Sequence, residues 1–221
     1  MRIIAILGIV AMGIAIAYYF TYSSVNQKKL PVIQPRDLKS EMVNPELLEV
    51  GIGHRIGEFS LQNQDGEIIT LNDVKGKVFV VEYFFTTCQS ICPKMTAQMT
   101  RVQKEFKGND ELKILSFTVD PKHDTVEVMK AYAEKHNAVK GQWHFLTGSK
   151  KELYHLARNS FFVLKPAETP KLGDAGSDFI HTNNFVLVDQ QLRIRGYYDG
   201  TNITEVNELM EDIQILLNKN E

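Results

Sequence analysis

Cysteine is scarce in this chain of 221 residues: there are two, and both fall in the stretch Thr86-Thr87-Cys88-Gln89-Ser90-Ile91-Cys92-Pro93. A framework of structural disulfides is thereby excluded. A bridge between these two would close so short a loop that it adds only about 2 kcal/mol, against about 4.7 kcal/mol for a loop of some 100 residues. Chemistry, not stapling, accounts for the pair. Missing too is any basic run in the part after residue 50, and the formal net charge is −2. Both argue against nucleic acid as a partner. No internal repeat or low-complexity tract is present. The charged and hydrophobic fractions, 24% and 43%, are those of a globular protein.

Long uncharged runs are absent except for one. Residues 3–22 carry no charged side chain, and about 20 apolar residues at 1.5 Å rise span the ~30 Å hydrocarbon core of a bilayer. Tyr18, Tyr19 and Tyr22 lie at one end, where aromatic residues favour the interface. The reading is a single-pass transmembrane anchor over residues 1–22. A cleaved signal peptide is the alternative, with Arg2, an apolar core and Ala15-Ile16-Ala17 as its small-x-small site. In both cases the bulk of the chain is expected on the non-cytoplasmic side of the membrane. No cysteine lies near the segment, which argues against a lipid-modified start.

Residues 23–50 hold Pro31, Pro35 and Pro45 among polar residues and read as a linker. Residues 51–217 are long enough for one domain with a substantial core. Within it, Phe59-Ser60-Leu61 and Ile68-Ile69-Thr70-Leu71 flank Asp65-Gly66, a hairpin signal. Residues 78–85, Val-Phe-Val-Val-Glu-Tyr-Phe-Phe, read as a buried strand running into the cysteine turn. The helix after it shows Met95, Met99, Val102 and Phe106 on one face, as core packing. A strand follows at 112–119, then a helix opened by the capping box Asp124-Thr125-Val126-Glu127, and a short strand at 143–146. A second capping box, Ser149 to Glu152, opens the next helix. A hairpin around Gln190-Gln191 precedes a last helix with Val206, Leu209, Ile213 and Leu217 on one face. The alternation predicts an α/β fold, a mixed central sheet with helices on both faces. A cysteine motif at the first strand-to-helix turn makes it thioredoxin-like.

At such a turn, backbone N–H groups and the helix dipole favour thiolates, which exchange disulfides or hold soft metals. If the turn is already helical, Cys88 and Cys92, four apart, share one face. Two thiolates leave a soft metal short of a ligand, and His181, just before the strand at 185–188, is the best candidate for a third. Two sulfurs and an imidazole suit copper in either oxidation state, whereas a closed zinc site takes a fourth ligand that is not evident. His54, His123, His136, His144 and His155 read as surface or internally satisfied residues.

The run Thr87 to Pro93, then Thr118-Val119-Asp120-Pro121-Lys122-His123-Asp124-Thr125, then His181 before an apolar strand, resembles the Sco/SenC family of membrane-anchored, thioredoxin-like copper proteins that assemble cytochrome c oxidase. The resemblance covers about residues 51–217. It implies one copper ion per chain on Cys88, Cys92 and His181. It also places Asp120 near the site, not as a ligand, in partner docking or thiol chemistry. One departure is Gln89, where the family often has proline.

Two functions follow. One is a metallochaperone delivering copper to the oxidase subunit that carries the binuclear copper centre. The other is a thiol-disulfide oxidoreductase that reduces a copper-accepting partner, with Cys88 attacking and Cys92 resolving, and with a thiol reductant as a further partner. Copper binding needs His181; simple thiol exchange does not.

Overall fold

A computed structural model describes residues 8, 10, 12–18, 28–48, 53–163 and 182–218. The chain divides into two units, Met1–Leu30 and Pro31–Glu221. Of the span 3–22, only Gly8, Val10 and residues 12–18 are described, and all are helical. Val10, Met12, Ile14, Ile16 and Tyr18 there are between 51% and 69% exposed. Among the described residues no helix is long and apolar enough to cross a membrane.

The second unit is built on a seven-stranded sheet. Its strands are β1 (Ser60–Asn63), β2 (Ile68–Thr70), β3 (Val78–Phe84), β4 (Leu112–Thr118), β5 (Trp143–Thr147), β6 (Asn184–Val188) and β7 (Ile194–Asp199), in the order β2-β1-β5-β4-β3-β6-β7. The inner three strands are parallel, and the two outer hairpins pair antiparallel to them. This is the mixed sheet read from the alternation of elements. The long helices are α1 (Cys92–Glu105), α2 (Val126–Lys135), α3 (Lys150–Asn159) and α4 (Ile203–Asn218).

All seven residues of β3 are buried, as a central strand covered on both faces requires. Alternation sends Phe79, Val81 and Tyr83 into a cluster with Phe117, Phe161 and the α3 residues Leu153 and Leu156. Phe84, on the opposite face, packs against Tyr132 of α2 and Phe145 of β5. Met95, Met99, Val102 and Phe106 are buried, as the periodicity required.

Three local expectations need correction. The cap of α2 is Thr125, whose hydroxyl accepts from Val128 N–H; Asp124 is wholly buried and serves elsewhere. In α4, Leu216 rather than Leu217 is buried, together with Asp212, which accepts from Tyr198 O–H at 2.7 Å. From Pro31 on, the expected linker belongs to the compact unit. Ile33 N–H donates to Ile194 O at the edge of β7, Gln34 Oε1 accepts from the amides of Gly53 and His54, and Val43 is buried.

One buried acid lies in the middle of the sheet. Trp143 Nε1 donates to Ser116 Oγ at 2.8 Å, and Ser116 Oγ donates to Glu82 Oε1 at 2.6 Å. Glu82 Oε2 is buried without a hydrogen-bond partner in the described structure. Burial pushes this carboxyl up to about 7, and the Ser116 hydrogen bond offsets only part of that rise. The folded chain therefore holds a proton that the unfolded chain releases near 4.5. Stability from this group is complete below that pH, declines as pH rises, and is lost once pH passes about 7. A tenfold change in proton affinity corresponds to about 1.4 kcal/mol, so the decline is a few kcal/mol at most. Glu82→Gln should flatten it. Thermal melting of both proteins from pH 4.5 to 7.5 checks this, and parallel curves would contradict it.

Candidate metal and thiol site

β3 ends at Phe84, and the chain then closes a turn in which Cys88 N–H donates to Phe85 O at 3.2 Å. α1 begins only at Cys92, with proline in its first turn and no side-chain cap from Ile91, where a missing N–H costs nothing. Cys88 therefore lies outside the helix, and helical spacing is not what brings the two cysteines together. Instead the turn folds back so that Cys92 N–H donates to Cys88 Sγ at 3.4 Å. The sulfur thus accepts from the first amide of α1, one of the first-turn donors that have no partner inside the helix.

The two thiols diverge in consequence. Burial alone would raise the half-buried Cys88, but hydrogen bonds from the Cys92 thiol and amide and from Ser90 outweigh it and bring the thiol down to about 7. Ser90 Oγ lies 3.6 Å from Cys88 Sγ. Cys92 is 4% exposed, and burial, with the hydrogen bond to Cys88 and the nearby Glu82 charge, pushes it up to about 12. The sequence pointed to two thiolates; the fold makes one sulfur acidic and accessible and keeps the other a buried thiol. Both cysteines are free.

The loop after β4 lies at the same end of the sheet, because β3 and β4 are parallel and in register from Val78↔Leu112 to Phe84↔Thr118. Asp120 is half-buried there. Its N–H donates to Thr118 Oγ1 at 3.0 Å, and its carbonyl accepts from the amides of His123 and Asp124. The carboxylate that reaches the cysteine turn belongs to Asp124. It accepts from Thr86 N–H at 3.2 Å and from the hydroxyls of Thr86 and Thr118. Sequence reasoning missed it because Asp124 and Thr125 are both good helix caps and only one can occupy that position.

His181 lies outside the described residues. The chain is described again from Thr182, whose Oγ1 accepts from Asn184 N–H at 3.1 Å. β6 pairs antiparallel with β3 through Val81↔Val186, so its first residue lies towards the β3 end that leads to Cys88. The start of β6 is held tightly: Gly200 N–H donates to Asn183 O at 2.7 Å, and a Cβ on Gly200 would stand 2.7 Å from the Phe185 ring. The other histidines have structural partners. His54 Nε2 lies 2.9 Å from Ser160 O, His144 pairs with Asn63 and His155 with Asn159. The His136 ring packs on Tyr132.

The SCO1/SenC family profile matches residues 52–218. The chain belongs to the SCO1/SenC family. It is 34% identical to the SCO1 protein homolog of Bacillus subtilis over 74% of this chain and 83% of that one. The solved structure of BsSco, described as a member of the Sco family of cytochrome c oxidase assembly proteins with a disulfide switch, matches with a TM-score of 0.62 and 32% identity. That match covers 76% of this chain and 95% of BsSco. A Stutzerimonas stutzeri protein named "Putative copper-binding protein" is 27% identical over 64% of this chain and 68% of its own length.

The divergence of the two thiols predicts selective labelling. In the reduced protein, iodoacetamide should modify Cys88 with a pH midpoint near 7, while Cys92 stays unmodified until the chain unfolds. Mass spectrometry of the modified peptides checks this, and equal labelling at neutral pH would contradict it.

Proposed function

We propose that this SCO1/SenC protein binds one copper ion per chain through Cys88, Cys92 and His181 and delivers it to the binuclear copper centre of a cytochrome c oxidase subunit. The observation that carries the reading is the sulfur arrangement: an acidic, half-exposed Cys88 receives the amide of the buried Cys92 across one turn. Two soft sulfurs favour monovalent copper, and an imidazole ligand would extend the set to divalent copper. His181 directly precedes Thr182, where the described chain resumes at the cysteine end of the sheet. The names of the S. stutzeri relative and of BsSco agree with copper and with oxidase assembly. Copper here is cargo, taken and released by ligand exchange. The uncharged span 3–22 is read as the anchor that holds the domain on the non-cytoplasmic side of the membrane.

A second reading keeps support from a specific observation. Thiols near 7 and about 12 are also the pattern of an attacking and a resolving cysteine, and BsSco is described by its disulfide switch. In this reading the protein reduces a copper-accepting partner.

Copper titration of the reduced full chain should end at one equivalent, and oxidation to a Cys88–Cys92 disulfide should abolish most of the binding. Full stoichiometry in the oxidised protein would overturn the ligand assignment. In cells, His181→Ala and Cys88→Ala should both lose oxidase assembly. Normal assembly with His181→Ala alone would make this protein a thiol reductase.

A further inference from the structure

His123 takes no part in the site described above. Its side chain is 51% exposed, yet the carboxylate next to it, Asp124, is wholly buried. His123 Nδ1 stands 3.1 Å from Asp124 Oδ1 and 3.4 Å from Thr86 Oγ1. The Thr86 hydroxyl gives its one proton to the same carboxylate oxygen. A carboxylate only accepts, so Nδ1 must present its proton to Asp124, and in the neutral ring Nε2 is left with a free lone pair. An imidazole whose other nitrogen donates to a carboxylate is oriented and made more basic as a metal ligand.

The anchoring point is informative as well. Thr86 lies in the turn from Phe85 to Cys88, which the Cys88 N–H to Phe85 O hydrogen bond closes. Across two residues, Cα atoms are at most about 7.6 Å apart. The imidazole is thus tethered at the rim of the sulfur site, on the loop that follows the neighbouring strand. A hinge or brace needs no exposed ring, whereas half of this one faces solvent.

We propose that His123 is a landing ligand: its Nε2 takes copper at the rim and passes it to the cysteines. This rests on the copper reading above. The transfer is ligand exchange without change of oxidation state. The bond from copper to the imidazole breaks as bonds to the two sulfurs form, and the proton of the Cys92 thiol leaves to solvent.

The test uses the reduced full chain in detergent, mixed rapidly with copper(II) sulfate while the thiolate-to-copper absorption is followed. In His123→Gln, the amide can still donate to Asp124 but the ring nitrogen is gone. Absorption should then rise about tenfold more slowly and reach the same final amplitude. His155→Ala, which removes an exposed imidazole on α3, should match the unaltered chain. A normal rate in His123→Gln would overturn the landing role, as would equal slowing in both variants. Reduced final amplitude in His123→Gln would make His123 a resident ligand and also overturn it. If the unaltered chain develops no thiolate-to-copper absorption at all, the copper reading itself falls and takes this proposal with it.

Discussion

The parallel pairing of β3 with β4 is the constraint on which the site depends. Seven consecutive residue pairs run from Val78↔Leu112 to Phe84↔Thr118 without a slip. Every β3 residue is buried, and a shift of one would send each side chain to the opposite face. Because the strands are parallel, both finish at the same edge of the sheet. The turn after β3 carries Cys88, and the loop after β4 carries Asp120, His123 and Asp124. Their proximity is a result of strand register, fixed far from the sulfurs by valines, leucines and phenylalanines.

The Asp124 carboxylate converts that proximity into a connection. It takes the amide and hydroxyl of Thr86 and the hydroxyl of Thr118, so one buried group ties the cysteine turn to the end of β4. A buried carboxylate left without such donors would be costly; with them, it holds a loop that would otherwise be free to choose among many turns. Cys92 and Cys88 are then placed in unlike surroundings, one under the helix and one at its mouth. Ligand exchange and disulfide exchange both profit from that inequality, which is why the fold serves either chemistry.

Much of the architecture was legible in the sequence. The alternation around Asp65-Gly66 and the Met95–Met99–Val102 stripe each follow a period that burial enforces, and the near-continuous apolar run at 78–84 is that of a strand covered on both faces. Ser149 was legible as a cap and does accept from Glu152 N–H at 3.2 Å, although the Glu152 carboxylate accepts from Ser60 N–H instead of closing the box. What failed were choices between neighbours. Asp124 or Thr125 as the cap, and Leu216 or Leu217 facing the core, differ by one position, and only tertiary contacts decide them. Prolines in the 31–48 segment suggested a linker, but Ile33 and Gln34 find backbone partners too distant in the chain for any local pattern to reveal. The unequal thiols were invisible for the same reason: identical residues four apart acquire different chemistry from what is buried around them.

The sulfur of Cys88 accepts from the first amide of α1, which no residue inside the helix can serve. Its lone pairs are thus a shared resource, used by the helix when the site is idle and by a reaction partner when it is not. Bond formation at that atom changes what the Cys92 amide can donate to, and the first turn of the helix must respond. The end of α1 consequently carries information about the chemical state of the sulfur, available to any surface that touches both.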